Sequence, residues 1–352
     1  MLNQAGLRTT LPYLEELTAR WEASGAAIGS PLWQEADALS GHMLRSWSRG
    51  SWRQDGDSDP ARMLDLQVRL GNAAGIDAFL AELSAEGHYA ASDNEAIVRA
   101  AALLPRARAT ELLVRIVRRN APVALAACGE LLRRAAAPGA PVGDPASIAA
   151  ALVDLLPGDP AKPAAPLDFH QRPAPVTPGF VVDLLTATSR VDAGLAARAL
   201  DHLLAWPMTY RTDAVLVGAA LVFAGQAESS AWPAAGRLRE VCLDHLRRRI
   251  ALPLEPPRDW ARPNSLTCRC ADCRALGTFL VDPGQRQWRL KAAEARRTHV
   301  EQHVRKARCD LDLSTKRRGS PHTLVAVKNQ ASYERRAKRR TQDLEHVSAL
   351  GG

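Results

Sequence analysis

The chain has 352 residues, 46% hydrophobic and only 5% aromatic, with a formal net charge of +8. That length exceeds one typical domain, and the apolar fraction excludes a wholly disordered chain. The charge is lopsided: from Gln285 onward 17 Lys and Arg face 7 Asp and Glu, so the preceding 284 residues carry about −2 (+8 minus +10).

Scarce aromatics with abundant alanine, leucine and arginine favour helices over sheets. Leu11, Leu14, Leu17 and Trp21 recur at three- and four-residue intervals and predict an amphipathic helix over Leu11–Ala23. Pro31 starts a second, with Trp33, Ala36, Leu39, Met43 and Trp47 on one stripe. The polar stretch Gly50 to Asp59 interrupts the pattern, which returns over Pro60–Leu70 and Ile76–Ala85. Ser92, with Glu95 three residues on, reads as a helix start. Helices are then expected over Ala96–Leu104, Ala109–Arg118 and Pro122–Ala136, broken at Pro105 and at Asn120-Ala-Pro122.

Ser147–Leu156 is again helical, after which prolines and glycines crowd Pro157 to Pro178 and predict an extended linker or long loop. Gly179–Thr186, Val191–Ala205, Ala214–Ala224 and Ala234–Ile250 follow, and no strand is expected before residue 253. Short helices joined by short turns suggest stacked antiparallel pairs, an irregular HEAT- or armadillo-like body whose surface suits proteins or peptides. The expected organisation is a helical-repeat region over 1–157, a linker over 158–178, a second helical region over 179–252 and a basic Cys/His module over 253–352. The fold class is therefore mainly α with a small C-terminal α+β module. Met1 to Thr10 lacks the apolar core of a secretory signal, and the longest apolar run, Ala214 to Gly225, is 12 residues, too short for a bilayer. A cytoplasmic protein with no membrane partner is expected, and there clustered cysteines read as metal ligands before disulfides.

Four of the six cysteines lie in the last module: Cys268, Cys270, Cys273 and Cys309. Cys270-x-x-Cys273 has the spacing at which two thiolates grip one tetrahedral ion, and His299 and His303 are four residues apart, on one helix face. Cys268, Cys270, Cys273 and His299 are the expected ligands of a structural Zn2+, with His303 or Cys309 as alternatives for the fourth place. Free clustered thiols at a surface would be reactive liabilities. Leu276, Phe279 and Leu280 offer a small core, and a module so thinly packed gains from a metal staple. Trp288 to Arg308 reads as a strongly basic helix, Leu311–Thr315 with His322–Lys328 as a β-hairpin, and Ser332 to Leu350 as a final basic helix.

Cys268-x-Cys270-x-x-Cys273-x-x-Leu276-x-x-Phe279-Leu280, Arg296-Arg297-x-His299, Cys309-Asp310, Thr315-Lys-Arg-Arg-Gly319-Ser320-Pro321-x-Thr323-Leu324 and Lys328 together resemble a C-terminal module of uncharacterised bacterial and fungal proteins. Many of those are designated iron- and 2-oxoglutarate-dependent, prolyl-4-hydroxylase-like dioxygenases. The resemblance covers about the last quarter of the chain and brings no known activity, because the dioxygenase half is what this chain lacks. A facial triad needs His-x-Asp/Glu on a strand rim, whereas His299-Val-Glu301 lies in a helical, arginine-rich run. The same residues beside Cys270-x-x-Cys273 bring nucleobase deaminases to mind, but the motif order is inverted and Arg269 stands where the proline belongs.

The expected function is a non-catalytic scaffold: a helical body for protein contact and a zinc-stabilised basic module touching nucleic acid. Arg317, Arg318, Arg335, Arg336, Lys338, Arg339 and Arg340 would supply the phosphate contacts. Trp288 and Tyr333 are expected in the core, with base stacking as the alternative. The alternative is a metal-dependent, hydrolase- or deaminase-like enzyme, or the accessory half of a 2-oxoglutarate dioxygenase system. Four protein ligands favour the first reading, three and an open position the second.

Overall fold

The computed structural model describes residues 4–46, 59–86, 89–139, 142–161 and 175–351. The polar stretch after Trp47 and most of the expected linker over 158–178 lie outside them. Two compact units form, Met1–Cys242 and Leu243–Gly352.

Among its described residues the first unit is helical throughout. Its helices are α1 (Gln4–Ser24), α2 (Pro31–Ser46), α3 (Asp59–Leu70), α4 (Ala73–Glu86), α5 (Asn94–Ala101), α6 (Arg106–Ala135), α7 (Pro145–Asp154), α8 (Pro178–Val191), α9 (Ala193–Ala205) and α10 (Val217–Ala224). A further helix, α11 (Pro233–Ile250), contains the division between the units. In α1 the stripe Leu11, Leu14, Leu17 and Trp21 is buried, as its spacing requires. Helices pack on those one or two places along the chain: α1 on α2, α3 on α5, α4 on α6, α6 on α7 and α8, and α8 on α9.

Local chemistry sets three details of these helices. The helices expected on either side of Asn120-Ala-Pro122 join into the single α6, kinked at Ala124 (φ −133°, ψ 45°). Pro122 has no N–H to return to the preceding turn, so the ladder bends there rather than stopping. Before α5, Asp93 Oδ2 accepts the Ala90 N–H at 3.0 Å and closes a short 3-10 turn over Ala91–Asp93, from which α5 continues at Asn94, while the Ser92 side chain does not cap the helix. Helix α8 begins at Pro178 because Thr177 Oγ1 accepts the Phe180 N–H at 3.2 Å.

The second unit has three helices, α12 (Ala271–Val281), α13 (Glu294–Ala307) and α14 (Ala331–Ala349), and three strands, β1 (Gln287–Lys291), β2 (Leu311–Lys316) and β3 (Thr323–Lys328). The strands make one antiparallel sheet in the order β1-β3-β2. The continuous basic helix expected from Trp288 to Arg308 is therefore not formed. Gln287, Arg289 and Lys291 are exposed while Trp288 and Leu290 are half-buried, a period of two that makes this segment a strand. The helix starts only at Glu294.

The hairpin of β2 and β3 forms as expected, pairing Thr315 with Leu324, and Gly319 takes a positive φ of 76° in its loop. One sheet face carries Trp288, Leu290, Leu311, Leu313, Leu324 and Ala326 onto Cys273, Leu276, Phe279 and Leu280 of α12 and Val300 and Val304 of α13. Trp288 stacks on Phe279, ring centroids 6.5 Å apart and 26° from parallel, so its ring belongs to this core. At the far end α14 is held by Asp343, which takes a two-pronged bond from Arg249 at 2.7 and 2.6 Å.

In the first unit α6 and α8 approach so closely that a Cβ on Gly129 would stand 2.8 Å from Phe180 Cδ2, whereas one on Gly236 of α11 would meet nothing within 4 Å. Gly129→Ala is expected to lower stability by about 1–3 kcal/mol despite its better helix propensity. Gly236→Ala is expected to raise it by about 0.5–1 kcal/mol. Urea unfolding followed by far-ultraviolet circular dichroism checks both signs.

Candidate metal centre

Four residues from three stretches of chain converge at the N-terminus of α12. Cys268 arrives on the extended segment before the helix, Cys270 is its N-cap, Cys273 lies in its first turn, and His299 projects from α13. The ligand atoms of all four lie within 4.8 Å of one another. His299 Nε2 stands 3.3 Å from Cys268 Sγ and 3.5 Å from Cys270 Sγ. Around one tetrahedral ion with metal–sulfur near ~2.3 Å and metal–nitrogen near ~2.0 Å, sulfur and nitrogen would be about 3.5 Å apart. The observed spacings fit, so these four side chains can hold a metal ion.

The local structure explains the convergence. Cys270 Sγ accepts the Cys273 N–H at 3.4 Å, one of the amides a helix start leaves without a partner. That bond, with hydrogen bonds from Cys273, Cys268 and His299, brings the Cys270 thiol down to about 7. Burial pushes Cys273 up to about 12. The surface thiol is thus the readiest thiolate, and the buried one loses its proton when a cation is there to take its place. A second link ties the same two helices. Asp272, between the two α12 cysteines, takes a two-pronged bond from Arg296 at 2.6 and 2.8 Å, one turn before His299.

The other expected ligands stand apart. His303 packs against His299, ring centroids 4.5 Å apart, without joining the four. Cys309 lies against the core, its sulfur 3.8 Å from Ser265 Oγ, and burial raises its pKa. Glu301 is half-buried on α13, and among the described residues no carboxylate joins the cluster. The deaminase arrangement, which needs a glutamate beside the ion, is not assembled.

The expected phosphate-contact residues fall into two groups. Arg317 and Arg318 are exposed in the hairpin loop, and Arg336, Lys338 and Arg339 are exposed on α14. Arg335, by contrast, lies 3.6 Å from Asp310, and half-buried Arg340 donates to the Leu252 carbonyl at 3.3 Å. Sequence reasoning passed over the Asp272–Arg296 bridge and the buried Lys328. The first had a signal in its position between ligands, and the second had none, since lysine in a strand usually reads as surface. Among the described residues no helix is long and apolar enough to cross a membrane. No family model matches the chain, and neither curated proteins nor solved structures give a match.

Purified protein is expected to carry one tightly held metal ion per chain, measured by plasma mass spectrometry. Cys270→Ser should lose it, with a fall in affinity beyond the ~10–100-fold that loss of an outer partner costs. Cys309→Ser should retain it.

Proposed function

We propose that this chain is a non-catalytic scaffold whose C-terminal unit is stapled by a structural zinc ion and binds nucleic acid through its basic surface. The observation that carries the reading is the closed ligand set: three cysteines and one histidine stand close enough to fill all four tetrahedral positions. A catalytic zinc keeps one position open for water or substrate. Three thiolates favour zinc over the hard cations, which take oxygen. The basic tail supports the rest of the reading, because Arg317, Arg318, Arg336, Lys338 and Arg339 face solvent and none is ion-paired among the described residues. In the first unit, helices packed on those one or two places along the chain support an irregular HEAT- or armadillo-like array that offers proteins or peptides a surface.

Titrating full-length protein against a labelled oligonucleotide at several salt concentrations tests this. With four to six side chains engaged, log affinity should fall against log salt with a slope of roughly −3 to −5. Reversing Arg336, Lys338 and Arg339 to Glu should make that slope shallower by about 2–3. Absence of binding at low salt would leave the tail as a solvated face and end the nucleic-acid reading.

A further inference from the structure

The strand that replaces the expected basic helix turns part of its charge to the solvent side of the sheet. Because side chains alternate, the face opposite the core carries Gln287, Arg289 and Lys291 from β1, Asp312, Ser314 and Lys316 from β2, and Thr323, Val325 and Val327 from β3. Val325 in the central strand is buried, so the exposed cations of this face stand on its two flanking strands. In register, Lys291, Thr323 and Lys316 form one rung, and Arg289, Val325 and Ser314 the next. Arg289, Lys291 and Lys316 are all exposed, and none is ion-paired among the described residues. The only acid on this face is Asp312, which accepts a 2.8 Å bond from Asn329 Nδ2. Arg317 and Arg318 continue the cationic run from Lys316 into the hairpin loop.

We propose that this sheet face, with Arg289, Lys291 and Lys316 on its two outer strands and Arg317 and Arg318 in the adjoining hairpin loop, docks the phosphate backbone of a double-stranded nucleic acid. The proposal rests on the nucleic-acid reading above and names both the surface and the strandedness. Strandedness follows from what the face lacks. Single strands are gripped chiefly by stacking bases on aromatic rings, worth about 1–3 kcal/mol per base. Here the one aromatic of the sheet, Trp288, points to the other face and stacks on Phe279. What remains is fixed positive charge on a sheet, with cations two strands apart at about 10 Å. A duplex presents one phosphate charge per ~1.7 Å of axis, twice the ~3.4 Å density of each strand alone, so a stack-free cationic plane gains more from it.

Full-length protein is titrated by fluorescence anisotropy with a labelled DNA duplex, the matching RNA duplex and the single strand, each at several salt concentrations. Wild type is expected to bind duplex more tightly than single strand, and a preference between the two duplexes shows which helix form fits the face. Combined Arg289→Gln, Lys291→Gln and Lys316→Gln should weaken duplex binding at least about tenfold at low salt and make the salt slope shallower by about 2.7. Its metal content and circular dichroism should match wild type. The pair Lys291→Gln with Lys316→Gln, expected to shift the slope by about 1.8, gives the reading if the triple variant does not fold. Duplex binding left unchanged by these variants but lost on reversal of Arg336, Lys338 and Arg339 overturns the sheet face alone. Equal or tighter binding of the single strand overturns it as well. A wild-type protein that binds none of the three probes overturns the nucleic-acid reading and this proposal together.

Discussion

The start of α12 is the point on which the second unit turns. An α-helix leaves its first amides without partners and concentrates positive partial charge there. Cys270 occupies that end as cap, and its sulfur accepts the Cys273 N–H. A thiolate is favoured in the same place, and Cys268 and His299 complete a donor set around it. One location thus satisfies a helix end, gathers four ligands and ties α12 to α13. Register follows from the pin. With Cys273 fixed, Leu276 and Leu280 fall on the buried face of α12, and with His299 fixed, Val300 and Val304 fall on the buried face of α13.

The apolar core that results is small, and buried polar groups extend it. Lys328 is 2% exposed, donates to the Asp282 carbonyl at 2.6 Å and lies 4.3 Å from the Phe279 ring centroid. Burial lowers its pKa. Arg262 donates to the carbonyls of Asn329, Asp259 and Ala261, and Arg297 to that of Ala292. Asp310 accepts the Ser332 N–H at 2.7 Å and so fixes the start of α14. Each charge is taken from water only where carbonyls, amides or a ring replace its hydration. The metal cluster, the Asp272–Arg296 bridge, the apolar core and these buried charges together hold the framework of the unit.

The legible parts were those governed by short-range rules. Helical stripes in the first unit, the Cys270-x-x-Cys273 grip and the hairpin around Gly319 each follow from spacing within a few residues. Two misreadings share a cause. By local rules Pro122 breaks a helix and Trp288–Lys291 opens one, and the outcome at both depends on what lies across the core. α6 continues past its proline in contact with α7 and α8, and Gln287–Lys291 becomes a strand because β3 pairs with it. The choice among Cys268, His303 and Cys309 was likewise non-local, since it depends on how the segment before α12 meets α13.

Correcting that one segment also changes what the tail's charge means. The +10 balance beyond Gln285 counts cations that the fold itself uses. Arg297 and Lys328 are buried against carbonyls, Arg296 is paired with Asp272, Arg335 lies beside Asp310, and Arg340 reaches the Leu252 carbonyl. A helix from Trp288 would have spread the remaining charge around a cylinder. The strand instead places Arg289 and Lys291 on one side of a sheet, in register with Lys316, with Arg317 and Arg318 adjoining. Charge arranged on a plane raises a local potential that scattered charge of equal total does not. It is therefore the pairing of β1 with β3, more than the net charge, that sets where the positive potential of this unit lies.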